Sequence, residues 1–278
     1  MTATATSVPA TEPRPRFRDL AAAEWIKLAS LRSTWIAYGA TALAVVGFNA
    51  GTAHDTYSHW GEQGAEGRAG FVRDGIPLLD AFTANAAMIM VLALGVLGAL
   101  VMVGEYASGT LRTTFAAVPD RRAVMAAKAV VVGLAATVFG GVVAAVSFAL
   151  TQAILDGRGV GVPIDHPGAL RVVVASALLA PVCALTGLAL GTLVRQTAAT
   201  MTACVAVLFV LPLVVSDDRY WSALVAHALP FEAWNRLVTV TPAPTGFPWT
   251  TAGAWTVYGA WAVGATALAV VGTHRRDQ

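Results

Sequence analysis

Long apolar stretches separated by short polar segments dominate the hydrophobic pattern of this chain. Six stretches contain no Asp, Glu, Lys or Arg, and each is long enough for a bilayer-crossing helix, which needs about 20 residues. They are residues 33–53, 81–104, 129–155, 172–194, 196–216 and 237–273. The last stretch begins with TVTPAPTGFPWTT, whose three prolines predict a loop before the helix. The pattern therefore predicts six transmembrane helices.

The predicted fold is an all-α polytopic membrane protein with one transmembrane domain, residues 34–272. We expect a flexible N-terminus over 1–15, an amphipathic helix over 16–33 and a tail over 273–278. The predicted spans are residues 34–53, 82–104, 128–154, 171–194, 197–215 and 252–272.

Composition and charge agree with a membrane location. The chain is 56% hydrophobic and 12% charged, whereas soluble domains carry about 25% charged residues. The formal net charge of +2 is too small to indicate nucleic-acid binding. With both termini inside, 12 Lys and Arg lie in inside segments and 6 in outside segments. The positive-inside rule therefore predicts cytoplasmic termini.

Candidate catalytic and metal-binding groups are sparse in the sequence. The five histidines fall in loops or at the end of the chain, without metal-ligand spacing, and both cysteines lie in apolar runs. The sequence contains no GxSxG and no GxxxxGK[ST]. We therefore expect no catalytic residue, metal or cofactor in this chain, and any ATP hydrolysis would come from another chain.

Residues 16–33 have helix-forming residues throughout and predict a helix on the membrane surface. Glu24 falls in the middle of its apolar face. Two interpretations stay open, a simple pair with Lys27 or a packed face in which Glu24 has a polar partner. At helical spacing the apolar face contains Phe17, Leu20, Ala21, Leu28 and Leu31, with Trp25 at its edge.

The connection between spans two and three predicts a short helix of its own. Gly109 suits a helix C-cap and Thr110 the N-cap of a helix that ends near Ala117. Pro119-Asp120 predicts a stop and a new N-cap. A simple intracellular turn with ordinary caps is the alternative, but it would need fewer residues.

Glu105 stands at the C-terminal end of span two, where the helix dipole disfavours a carboxylate. We therefore expect cationic partners, with Arg112, Lys27 and Arg32 as the nearest in sequence or predicted depth. This predicts a clamp between span two and the cytoplasmic elements, against the alternative of a solvated helix end.

The connection between spans five and six is apolar at helical spacing and is broken by Pro230. It predicts two short helices that dip into the outer leaflet, or a globular cap of the same length. The residues of this predicted re-entrant loop include Leu229, Pro230, Phe231 and Asn235. Three polar residues lie in or beside the spans and are candidates for a substrate path: Asn49, Asn85 and Thr200.

Three segments resemble the permease subunits of type-2 ATP-binding-cassette (ABC) exporters, especially bacterial drug and antibiotic exporters. They are EWIKLASLRSTW before span one, GEYASGTLRTT with the following PDRR, and ALPFEAWNRL between spans five and six. The resemblance implies a plasma-membrane subunit that pairs with a second permease, identical or similar. It also implies a separate ATPase subunit that binds ATP and Mg²⁺.

The resemblance also assigns roles to residues in the two short helices. It implies a connecting helix that includes Glu24, Trp25, Lys27, Leu28 and Arg32. It implies a coupling helix, docked on the ATPase, that includes Thr110, Leu111, Arg112, Thr113, Thr114 and Phe115. From this we predict that Leu111 or Phe115 fills a groove in the ATPase. The main alternative is a binding, immunity or regulatory protein with the same fold that does not pump.

Overall fold

The computed structural model describes residues 15–215, 219–240 and 247–272, and all regular structure in these ranges is helical. Most of the predicted N-terminal segment 1–15 and the predicted tail 273–278 lie outside the described residues. The helices are α1 (Phe17–Ser30), α2 (Arg32–His59), α3 (Ala65–Arg73), α4 (Ile76–Ala81), α5 (Ala84–Ser108), α6 (Thr110–Ala117), α7 (Arg121–Asp156), α8 (Ala169–Val194), α9 (Thr197–Val205), a π-helical segment (Ala206–Val210), α10 (Leu211–Val214), α11 (Tyr220–His227), α12 (Pro230–Val238) and α13 (Thr251–Gly272).

The predicted number of membrane-spanning helices is confirmed. Within the described ranges, six helical units are long and apolar enough to cross a membrane: α2, α4 with α5, α7, α8, α9 through α10, and α13. The third of these, α7, extends beyond the predicted span 128–154 at both ends. It begins at Arg121 because the Asp120 carboxylate accepts a hydrogen bond from the Ala123 amide at 3.0 Å.

The long helices run alternately between two ends of the bundle. We call the end with α1 and α6 the proximal end and the end with α3, α4, α11 and α12 the distal end. Helix α8 is the most enclosed, with 78% of its most apolar stretch buried, and it packs against α5, α7 and α13. The hydrophobic core therefore surrounds α8.

Glycines allow α5 and α8 to pack closely. A Cβ atom at Gly98 would overlap the Ala184 carbonyl, and one at Gly187 would overlap the Gly95 carbonyl. Gly98 and Gly187 therefore let the two helix backbones approach closely. Gly141, by contrast, has open space where a Cβ would lie.

The fifth span is interrupted near its distal end. Residues Ala206–Val210 form a π-helical segment immediately before Pro212 in α10. Pro212 has no amide hydrogen, so the carbonyl four residues earlier lacks its usual partner. The α-helical hydrogen-bond pattern is therefore altered next to Pro212, whereas α8 continues as an α-helix through Pro181.

Candidate functional site

Four charged side chains meet at the proximal end, and we call them the proximal ion cluster: Glu24, Lys27, Glu105 and Lys128. Glu24 and Lys27 lie three residues apart on α1 and therefore share a face. Glu105 belongs to the last turn of α5, and Lys128 lies two turns into α7. Three separate helices thus supply the cluster.

The hydrogen bonds of the proximal ion cluster cross between all three helices. Lys128 Nζ donates to Glu24 Oε2 and also to Glu105 Oε1, the latter at 2.7 Å. Lys27 Nζ donates to Glu24 Oε1 at 2.7 Å and to Glu105 Oε1 at 3.2 Å. Each lysine therefore bridges both glutamates, and α1 is tied to α5 and α7.

The proximal ion cluster is largely withdrawn from solvent. The exposed fractions of the side chains are 1% for Lys128, 5% for Glu24, 12% for Glu105 and 32% for Lys27. Isolated buried charges are costly, whereas two glutamates and two lysines neutralise each other. The arrangement therefore explains why a glutamate is tolerated in the packed face of α1.

The charges of the two glutamates affect the pKa of Lys27, which lies outside the spanning helices. Burial by itself would lower the pKa of the Lys27 ammonium. Hydrogen bonds and charge attraction from Glu24 and Glu105 outweigh burial, so the pKa of Lys27 is raised. The protonated, bonded form of Lys27 is therefore the favoured one.

The structure resolves the open interpretations of Glu24 and Glu105. Glu24 pairs with Lys27, as the simple alternative stated, and it also has the buried partner Lys128, as the packed-face alternative required. Glu105 contacts Lys27, one of its three expected partners. Its second partner is Lys128 rather than Arg112 or Arg32.

The prediction that Leu111 or Phe115 projects from α6 into a partner is wrong for Leu111. Leu111 is only 4% exposed and packs in a cluster with Met102, Met125 and Leu188. Phe115 is partly buried against the same cluster, and the Arg121 guanidinium lies 5.2 Å from its ring centre. Both side chains therefore attach α6 to its own chain.

The prediction that Thr110 caps α6 is also wrong. Gly109 precedes the helix, with a left-handed φ of 72°, and serves as the predicted cap of α5. Thr110 is the first residue of α6, and its hydroxyl lies 2.7 Å from that of Ser108. Thr114 donates to the Thr110 carbonyl at 2.9 Å.

The outward surface of α6 contains polar and small residues. Arg112, Thr113, Ala116 and Ala117 are exposed. On α1 the predicted apolar face is only partly packed, since Leu20 is buried while Phe17 and Leu31 are exposed. Among the other predicted connecting-helix residues, Leu28 is half-buried, and Trp25 and Arg32 are exposed.

The predicted residues at the distal end have two different environments. Leu229, Pro230 and Phe231 are buried where α12 packs against α8 and α13, and Asn235 is exposed. The Trp234 indole in α12 donates to Ser176 of α8 at 3.0 Å. These contacts fix α12 to the bundle, and its depth in a membrane stays a prediction.

The three predicted path residues do not form one polar lining. Asn49 is fully buried and bonded to Thr83 and Ser147. The Thr200 hydroxyl is buried and donates to the Gln196 carbonyl of its own helix at 2.8 Å, whereas Asn85 is exposed. A substrate path through these residues stays a prediction.

Comparison with known proteins provides no family assignment for this chain. No protein-family model matches it, and no curated protein matches it.

Lys128 is the functional candidate that sequence reasoning missed. A signal was present, since Lys27 and Lys128 are the only lysines among the 18 basic residues of the chain. A lysine ammonium is a compact charge with three donors. The two lysines stand out in a chain that otherwise uses arginine, and the structure brings both of them to Glu105.

Proposed function

We propose that this chain is the membrane-spanning subunit of an ATP-driven exporter. Separate ATPase subunits supply ATP and Mg²⁺, and a second membrane subunit, identical or similar, completes the path. The substrate is apolar or amphipathic, such as a drug, antibiotic, peptide or lipid-like molecule. In this proposal the proximal end faces the cytoplasm of a bacterial inner membrane.

The attachment of α1 and α6 to the spanning helices carries the proposal. Helix α6 follows α5 through Gly109 and precedes α7, and Leu111 is buried against the residues of these helices. The proximal ion cluster ties α1 to the same two helices. A displacement of this unit must therefore move α5 and α7, and the clamp proposed for Glu105 is part of that linkage.

An ATPase subunit needs an accessible surface, and the outward face of α6 supports docking there. We infer that Arg112 and Thr113, rather than Leu111 or Phe115, meet the ATPase. Arg112 would supply a salt-sensitive contact, as charged groups at interface rims do. The buried leucine and phenylalanine would transmit the movement to the bundle.

A second membrane subunit is supported by the uneven burial of the spans. In α2, in the α9–α10 unit and in α13 only 22% of the most apolar stretch is buried, compared with 78% in α8. Of these three, α2 and the α9–α10 unit both pack against α5. We propose that these two units meet a second membrane subunit, and that the bilayer covers the remaining apolar surface, including that of α13.

Co-purification and transport test this proposal together. The tagged chain is isolated from its native membrane, and bound proteins are identified by mass spectrometry. We expect an ABC-type ATPase, and ATP-dependent accumulation of an amphipathic dye in inverted vesicles. Arg112→Glu should weaken ATPase association, whereas Arg73→Glu, an exposed change at the distal end, should leave it unchanged.

Absence of both an associated ATPase and ATP-dependent transport would contradict the proposal. Ligand binding without either would instead favour the alternative of a non-pumping binding, immunity or regulatory subunit. Glu105→Gln separates the clamp from the wider proposal. Unchanged assembly and unchanged coupled ATPase activity in that variant would exclude the clamp only.

A further inference from the structure

A cavity of about 660 Å³ lies between the proximal halves of α2 and α5, beside α1 and α7. Its volume falls within the range of about 300–1,000 Å³ that is usual for ligand sites. Along α5 the lining extends from Leu97 to Ser108, which corresponds to about 16 Å at a helical rise of about 1.5 Å per residue. The hydrocarbon core of a bilayer is about 30 Å thick, so one leaflet contributes about 15 Å. The cavity therefore has the depth of a single leaflet, the one at the proximal end.

The cavity opens sideways and has apolar walls along most of its depth. Leu100 is 44% exposed and Gly104 is exposed, and both line the opening on α5. Farther from the proximal end, Leu97 and Val101 of α5 face the cavity, and Val132 of α7 closes its inner side. A molecule dissolved in the proximal leaflet can therefore insert a hydrocarbon chain without crossing the core of the bundle.

The charged residues of the lining are already paired with one another. Among the described residues that form the wall, they are the four members of the proximal ion cluster, whose charges sum to zero. An ionised head group would lose water beside this largely buried set and would find no opposite charge left to neutralise it, which is costly. The cavity therefore favours a molecule whose head group is uncharged.

Hydroxyl groups supply the uncharged polar surface of the lining. They belong to Ser30, Ser33, Thr34, Tyr38, Ser108 and Thr110. Three of these six are already engaged: Ser30 donates to the Lys27 carbonyl, and the Ser108 and Thr110 hydroxyls lie 2.7 Å apart. The hydroxyls on α2, those of Ser33, Thr34 and Tyr38, form no hydrogen bond within the described residues. Because a hydroxyl both donates and accepts, this side of the cavity suits a head group with hydroxyl or ester oxygens.

We propose that this cavity binds an uncharged lipid with a hydroxylated head group, such as a monoacylglycerol, taken from the proximal leaflet. The head group bonds to Thr34 and Tyr38, which lie four residues apart and share a face of α2. The hydrocarbon chain lies along Leu97 and Val101. Binding needs neither ATP nor an ATPase subunit, so this site stands apart from the proposed export function.

Photolabelling of the full chain in phosphatidylcholine nanodiscs tests the site. The probe is monolauroylglycerol with a diazirine on its acyl chain, and the labelled peptides are identified by mass spectrometry. We expect saturable label on residues 34–38 and 97–104, and only non-saturable label on the exposed outer stripe of α7, which contains Leu134, Val138 and Val142. Equal, non-saturable label on both surfaces would overturn the proposal. A second copy of the chain that fills the cavity would leave residues 97–104 unlabelled, which would overturn it as well.

Competitors of matched chain length test the chemistry of the head group. Dodecyltrimethylammonium adds a positive charge and dodecylsulfonate a negative one, whereas unlabelled monolauroylglycerol has neither. Each ionic competitor should displace the saturable label more weakly than monolauroylglycerol by on the order of tenfold, because its charge finds no partner in the cavity. Equal competition by either ionic amphiphile would overturn the assignment of an uncharged ligand.

A hydroxyl-free variant tests the bonds to the head group. Thr34→Val combined with Tyr38→Phe removes both hydroxyls and nearly preserves the shape of the wall. The probe concentration for half-maximal label should rise by on the order of tenfold, because two hydrogen bonds are lost. Thr52→Val is the control, since the Thr52 hydroxyl lies on the same helix but outside the cavity and bonds to the Phe48 carbonyl at 3.1 Å. Its labelling should equal that of the parent chain.

Filling the cavity tests the site from the apolar side. Gly104→Leu should abolish the saturable label, since a Cβ at this lining position meets nothing within 4 Å and the added side chain takes up the space. Gly141→Leu on α7 is the matched control, because its Cβ position is equally open but lies outside the cavity. Gly104→Leu keeps every hydroxyl and charge, so it stays informative if the hydroxyl-free variant does not fold. Parent-like labelling of Gly104→Leu would overturn the proposal, whether or not an ATPase associates with the chain.

Discussion

The two ends of the bundle are held by polar junctions of different chemistry. At the proximal end, two lysines and two glutamates share four hydrogen bonds. At the distal end, neutral groups meet, which we call the distal amide junction: Asn49, Thr83 and Ser147. There the Asn49 amide donates to Ser147 at 3.1 Å and accepts from the Thr83 hydroxyl at 3.0 Å.

The two junctions differ in how much stability is lost when one partner is removed. A neutral group that loses a buried partner costs about 1–3 kcal/mol, whereas breaking a buried ion pair costs about 3–5 kcal/mol. The proximal end therefore depends on complete pairing of its charges. Helices α1 and α6 are also attached at that end. Disruption there should therefore affect the proposed association with an ATPase subunit as well as stability.

The largest expected effect comes from Lys128→Met. Because Lys128 is buried and bonds to both glutamates, its loss should lower the free energy of unfolding by about 3–5 kcal/mol. Equilibrium unfolding in mixed detergent micelles measures this change. Arg122→Met, an exposed change on the same helix, should stay within about 0.5 kcal/mol of the parent.

A double variant sharpens the interpretation of Lys128→Met. Adding Glu24→Gln removes one of the two carboxylates that Lys128 neutralises and should recover part of the lost stability. A double variant no more stable than Lys128→Met would show that packing of the lysine stem, rather than charge pairing, explains the effect.

The second effect concerns the distal amide junction. Asn49→Leu removes partners from Thr83 and Ser147 at a fully buried site and should cost about 1–3 kcal/mol. The same unfolding measurement applies, with the exposed change Asn85→Leu as control. A cost equal to that of Lys128→Met would remove the distinction between the two junctions.

A smaller effect is expected for Lys27→Met. This side chain is 32% exposed, and Lys128 continues to bridge both glutamates without it. Solvent screening reduces the contribution of such a pair, so the cost should be about 1 kcal/mol or less. Thermal unfolding in detergent would show whether Lys27 contributes less than Lys128, and a larger loss than in Lys128→Met would reverse their ranking.

The smallest effect is a dependence on alkaline pH. The pKa of Lys27 is raised in the folded chain, so the unfolded chain releases this proton first as pH increases. The contribution of Lys27 is therefore complete below the ordinary lysine pKa of about 10.4 and is lost as pH rises through the higher folded value. The parent minus Lys27→Met stability difference, measured from pH 8 upward, should be flat and then fall.

The spanning helices could be predicted from the sequence. A long charge-free stretch in a bilayer has no water to bond to, so its backbone groups must bond to each other, as they do in a helix. The caps of α5 and α7 were also predictable, since Gly109 and Asp120 act through local geometry and local hydrogen bonds. The direction of Leu111 was not, because amphipathic spacing alone does not say which side of α6 meets the bundle.

The charges show the same division between local and distant information. From the sequence alone, Glu105 was expected to have cationic partners because the helix dipole disfavours a carboxylate there, and Glu24 was expected to pair with Lys27 or to have a polar partner in a packed face. Only the tertiary structure decided that Lys128, 104 residues from Glu24, serves both. That pairing depends on how α1, α5 and α7 pack together, which no local pattern specifies.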